Sequence, residues 1–236
     1  MKTDELIETL SSDCRPVEPM RITGRQVFLA LALSLMWMLL GVVVTAYFSP
    51  AVRESIFRMN GFFALAEGLL FLLLGMWAFF LARGTVFPGS DHPWLRWSLF
   101  ALVTLAILGV SALSYYQWSV GVHDPHAASP GCSGLMFLFA LAPAVLLYRF
   151  LRRCYCISFR NSIVLAFLAT AFLAGSGVAF VCPDDQAIHV LISHLLPVAL
   201  GLVLAIAVGS LMDRRNRQDF DRYFNDVTSD GLDGKG

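Results

Sequence analysis

Hydrophobic positions in this chain do not alternate with polar ones; they come in long uncharged blocks separated by short charged breaks. Six blocks stand out, at residues 26–48, 61–81, 97–118, 132–150, 161–182 and 187–210. A helix crosses the hydrocarbon of a bilayer in about 20 residues, so each block is long enough for one span. Strand-type alternation is missing, which argues against an outer-membrane barrel. The first block is too long for the core of a signal peptide and follows the polar residues 1–25, so it reads as a retained span. The pattern predicts an all-α integral membrane protein. It has a short arm (1–25), a six-transmembrane-helix bundle (26–210) and a tail (211–236).

Composition supports the bilayer as the solvent. Of the 236 residues, 57% are hydrophobic and 14% charged, against about 25% charged in soluble domains. One soluble core of this size could not hide so much apolar surface. The net charge is zero, and nothing suggests direct nucleic-acid binding. The distribution of the cations says more. Lys2, Arg15, Arg21, Arg25, Arg83, Arg96, Arg149, Arg152, Arg153, Arg160, Arg214, Arg215, Arg217, Arg222 and Lys235 fall in alternate segments, and only Arg53 and Arg58 in the others. Fifteen against two of the 17 cations predicts both termini in the cytoplasm by the positive-inside rule.

The arm begins TDELIETLSSD. Thr3 is suited to capping a short helix whose Leu6, Ile7 and Leu10 share one face, and Pro16 and Pro19 keep RPVEP extended beyond it. The tail starts as a charged continuation of the last span and fades into Gly, Asp and Ser, a composition that predicts disorder at its end. Short loops predict that sequence neighbours pack as antiparallel neighbours. Ala171, Gly175 and Ala179 form a small-residue stripe on span five, and Gly61, Gly68 and Gly75 one on span two, both suited to close helix packing.

The stretch FVCPDDQAIHVLISH (180–194) makes the turn between spans five and six. Pro183 helps to stop span five, and Asp184 or Asp185 is placed to cap span six. Among the five cysteines, Cys14, Cys154 and Cys156 fall on the predicted reducing side. The CYC pair has no thioredoxin-type spacing and sits in a basic loop suited to anionic lipid. Cys132 and Cys182 fall at the outer ends of spans four and five, where disulfides persist in a bacterium. A helix start favours the thiolate at Cys132, and a helix end opposes it at Cys182. Three readings stay open: a reversible sensor pair, a permanent structural disulfide and two unpaired thiols. His123, His126 and His189, also outer, make Cys132 and Cys182 candidates for a soft or borderline metal site, although the spacing matches no zinc motif. Loop histidines in a water-facing turn are the alternative. His194 lies deeper and suits a hydrogen bond inside the bundle. Glu67, the only acid within a span, suits either an interhelical polar contact or a functional role.

The opening MKTDELIETLSSDCRPVEPMR, above all LIETLSSD followed by RPVEP, together with six spans and the pair Cys132 and Cys182, resembles the NrsF family of bacterial membrane anti-sigma factors over nearly the whole chain. The resemblance implies a protein without enzymatic activity. It would hold a sigma factor of the extracytoplasmic-function class at the inner membrane and release it under thiol-reactive stress from an oxidant or heavy metal. No cofactor is expected, save transient heavy-metal binding. On the residues alone, Leu6, Ile7 and Leu10 form the face suited to docking on a partner groove. A small transporter or metal-efflux component using Glu67 and the outer histidines is one alternative. A membrane thiol oxidoreductase built on Cys132 and Cys182 is another. The charge bias makes a direct prediction: reporter fusions after residues 25, 90, 155 and 215 report cytoplasm, and fusions near 55, 125 and 185 report periplasm. An external N-terminus or an odd number of spans would overturn the architecture.

Overall fold

The computed structural model describes residues 24–50, 52–53, 62–85, 93–121, 130–152, 159–182, 184 and 186–233. The arm with Leu6, Ile7, Leu10 and Cys14, the segments holding His123, Asp124, His126, Cys154 and Cys156, and the turn residues Pro183 and Asp185 lie outside them. The helices are α1 (Gly24–Phe48), α2 (Phe62–Gly84), α3 (Pro93–Ser119), α4 (Pro130–Arg152), α5 (Phe159–Val181) and α6. α6 starts at Ala187–His189, widens into a π-helical segment at Val190–Leu195 and continues as Leu196–Asp233. Helical backbone thus extends well beyond the last apolar block, through most of the polar tail. Six described helices are long and apolar enough to cross a membrane.

α5 is the axis of the bundle. In its apolar window 83% of residues are buried, against 17–39% in the other five. It packs against α2 most extensively and also against α4, α6 and α1. Among the described residues α1 leans on α4 and α5 rather than chiefly on α2, and α3 on α2 and the start of α6 rather than on α4. Sequence order therefore does not dictate all of the neighbours. The small-residue helix α5 collects partners from both sides, because small residues let backbones approach closely where lipid is the competing solvent.

The close approaches are specific. A Cβ on Gly75 of α2 would lie 2.8 Å from the backbone nitrogen of Leu173, and one on Gly175 of α5 would lie 2.8 Å from the Phe71 ring. Phe139 of α4 is fully buried, wedged between Gly41 of α1 and Gly177 of α5, where a Cβ would come within 2.3 and 2.6 Å of its ring. Pro143, buried inside α4, leaves its helix one backbone donor short. One turn away, the Trp37 indole of α1 donates to the Leu138 carbonyl at 3.1 Å.

Two core clusters line the bundle, the larger reaching to the arginine end and the smaller lying toward the cysteines. One gathers Val27, Phe79, Ala82, Leu99, Leu147 and Val164; the other gathers Val52, Cys132, Val178 and Val181. These sets fit alternating up and down helices, with Arg25, Arg96, Arg149 and Arg160 near one end and the two cysteines at the other. At the arginine end Thr85 and Ser162 share a hydrogen bond at 2.8 Å. There, too, Asp213 of α6 accepts from the Phe159 and Arg160 backbone N–H groups at 2.7 and 3.4 Å. A carboxylate from another helix thus caps the positive start of α5.

Gly75→Ala therefore forces apart two backbones, whereas Gly109→Ala on α3 meets nothing within 4 Å. Thermal unfolding of the purified protein in detergent should show the first variant less stable by about 1–3 kcal/mol and the second unchanged or slightly more stable. Equal midpoints would show that α2 and α5 tolerate separation.

A cysteine–histidine cluster at one end of the bundle

Cys132 occupies the first turn of α4, and Cys182 follows the last residue of α5. Their sulfurs lie 3.5 Å apart, against about 2.05 Å in a disulfide, so the two side chains are in contact and not bonded. Cys132 is buried and Cys182 half-buried.

The turn into α6 builds the rest. Cys182 N–H bonds Val178 O at 2.8 Å, extending the helical pattern by one residue. Asp184 does not cap α6 with its side chain, as the sequence suggested. Its Oδ1 accepts from Gln186 N–H at 3.0 Å, closing a local Asx-type turn. The first helical N–H, of Ala187, is instead taken by Gln117 Oε1 of α3 at 3.0 Å. The tight turn brings His189 back over Cys182, with Nε2 3.1 Å from the sulfur and Nδ1 3.5 Å from Asp184 Oδ2. His189 is 2% exposed; the water-facing reading of this residue is corrected by its burial.

His194 joins the group through the π segment. Residues five apart point about 140° away from each other on an α-helix, but i→i+5 bonding brings them nearly into line. His189 and His194 accordingly face one another edge to face, ring centroids 5.4 Å apart. The widened turn is tied to α4 by Ser133 Oγ, which donates to Ser193 O at 3.0 Å. His194 is fully buried, and its Nδ1 is 2.9 Å from Glu67 Oε1 of α2. The acid within α2 and the deep histidine, each suited by sequence to a polar contact, are partners.

An ionised Glu67 accepts from Nδ1–H, and in the neutral imidazole that leaves the lone pair on Nε2, facing the cysteines. His194 Nε2 is buried without a hydrogen-bond partner among the described residues. One ligand atom from each of Cys132, Cys182, His189 and His194 lies within 4.8 Å of every other. Such an arrangement can do two kinds of chemistry: a dithiol can close to a disulfide, and two sulfurs with two imidazoles can coordinate a soft or borderline metal. Of the metal candidates named from sequence, Cys132, Cys182 and His189 come together, and His123 and His126 lie outside the described residues. His194 was missed because the α-helical period puts it on the wrong face. The signal available was the pairing of one deep acid with one deep histidine.

Fold and cluster together define a bundle of six helices long and apolar enough to cross a membrane, with a thiol–imidazole group at one end. The chain belongs to the NrsF family, described as negative regulator of sigma F, which it matches over residues 10–214. The family description makes it a negative regulator of a sigma factor. No curated protein and no solved structure matches it.

Closing the disulfide needs the sulfurs to approach by only about 1.5 Å. In a Cys14→Ser, Cys154→Ser, Cys156→Ser background, diamide should take two electrons and two protons from Cys132 and Cys182 and abolish maleimide labelling of both. Persistent labelling of both thiols would show that the bundle holds them apart.

Proposed function

We propose that this protein is a non-enzymatic inner-membrane anti-sigma factor that holds a sigma factor of the extracytoplasmic-function class and releases it when the outer pair Cys132 and Cys182 meets an oxidant or a heavy metal. The observation that carries the reading is the 3.5 Å separation of two sulfurs from different helices. Placing that pair outside follows from the positive-inside rule, with the arginine end and both termini in the cytoplasm. In an oxidising compartment a pair this close is poised for oxidation or for capture of a thiophilic ion.

The route from pair to partner runs through α5 and α6. Cys182 sits at one end of α5, and Asp213 of α6 caps the other. Packed helices have discrete arrangements, so a shift at the sulfur end can be passed on as a repacking at the other. The partner contact itself is assigned to the arm through Leu6, Ile7 and Leu10, which would order on a sigma-factor groove at a cost of several kcal/mol, leaving these apolar anchors to supply the binding energy.

The experiment is co-purification of the sigma factor with membranes before and after cadmium or peroxide. Cys132→Ser and Cys182→Ser should retain the partner and fail to release it, while Leu6→Ala with Leu10→Ala should weaken capture with insertion intact. Normal release from both serine variants would overturn sensing by the pair. Undiminished capture by a chain lacking residues 1–20 would move the contact to the basic loops or tail.

A further inference from the structure

The four side chains at the cysteine end are arranged as a coordination shell. We propose that Cys132, Cys182, His189 and His194 bind a four-coordinate Zn2+ ion, with Glu67 and Asp184 as the outer carboxylates that hold the two imidazoles. This deepens the sensing reading by giving the resting thiols an occupant, yet binding is measurable whether or not a sigma factor is released.

Three observations converge. The first is distance. With Zn–S near 2.3 Å and Zn–N near 2.0–2.1 Å, the edges of a tetrahedral site are about 3.3–3.8 Å. The sulfurs at 3.5 Å and the Cys182 sulfur to His189 Nε2 at 3.1 Å are already near that size. The widest separation, within 4.8 Å, includes a nitrogen and needs to contract by at most about 1.5 Å. The second is the direction of the imidazoles. His194 turns Nδ1 to Glu67 at hydrogen-bond distance, 2.9 Å, and His189 Nδ1 faces Asp184 Oδ2 at 3.5 Å, with no hydrogen bond among the described residues. That leaves both Nε2 atoms for the cluster, the carboxylate–histidine–metal arrangement that orients metal ligands. The third is the fully buried His194, whose Nε2 lacks a hydrogen-bond partner among the described residues. A lone pair buried in that way is costly unless something accepts it.

Charge selects the ion. Binding converts two thiols to thiolates and releases two protons to water, so Zn2+ with two thiolates and two neutral imidazoles is neutral. Cu+ in the same shell would leave one negative charge beside Glu67 among apolar helices. The four-ligand set has no open position, as in structural zinc sites. Cys182 and Asp184 are only partly covered, the latter 26% exposed, and mark the way in.

The test uses the full chain in nanodiscs, in the Cys14→Ser, Cys154→Ser, Cys156→Ser background. Co2+ titration should give one equivalent of a tetrahedral spectrum with thiolate charge-transfer bands, displaced by one Zn2+ with two protons released per ion in unbuffered solution. Glu67→Gln should weaken Zn2+ binding about 10–100-fold, and Cys132→Ser or His194→Gln by more than that. Bound Zn2+ should also slow closure of the disulfide by diamide. Thermal unfolding of each apo variant identifies any that fail to fold, and Glu67→Gln keeps the ranking testable if His194→Gln is one of them. An octahedral Co2+ spectrum, binding indifferent to Cys132→Ser, or tight retention of Cu+ with rejection of Zn2+ would each overturn the assignment. Zinc binding with unaltered sigma release in Cys132→Ser would leave the site standing and remove the sensing reading. Cysteine-dependent release from a chain that binds no Zn2+ would do the reverse.

Discussion

Close approach of α2 and α5 at Gly75 and Gly175 is the contact on which the remaining geometry rests. In lipid, apolar side chains gain little by leaving the solvent, so a bundle has to be held by dense van der Waals packing. α5 meets that demand with a surface of Ala, Gly and Ser that other helices can touch with their backbones. The side chains that fill its grooves, Phe71 and Phe139, are almost fully buried. Fixing α2 this closely also sets Glu67 at the height of His194.

The polar cluster depends on that packing and on a local departure from the α-helix. A half-buried carboxylate among apolar helices gains by a partner, and Glu67 finds one because the π segment turns His194 inward. The same segment presents the Ser193 carbonyl to Ser133, which ties α6 to the turn of α4 that carries Cys132. Four helices thus converge on one small volume, and no single loop builds the site. Such a convergence makes the relative heights of the helices part of the chemistry.

Much of this was readable from residues. Uncharged blocks gave six helices of spanning length, because composition over about 20 residues is a strong signal. The stripe of Ala171, Gly175 and Ala179 marked a packing helix, and Cys132 and Cys182 stood out by their place at helix ends. The partner choices of α1 and α3 were not readable, since apolar surfaces of similar texture do not encode which neighbour wins. His194 escaped for a different reason: a π-helical turn changes the angular period, and no residue type announces it. The part of Gln117 at the start of α6 was not readable because that amide, on α3, is remote in sequence.

The Asp213 contact has a mechanical side. α6 grips α5 twice, at the cysteine end through His189 and at the start of α5 through Asp213. Between His194 and Asp213 lie about 28 Å of helix at 1.5 Å per residue, close to the hydrocarbon thickness of a bilayer. Over that arm a tilt of about 5° moves the carboxylate by about 2.5 Å, more than a 2.7 Å hydrogen bond tolerates before it is lost. α6 is therefore held to α5 at both ends, and the length of helix between the two contacts makes the Asp213 bonds the ones most sensitive to its tilt.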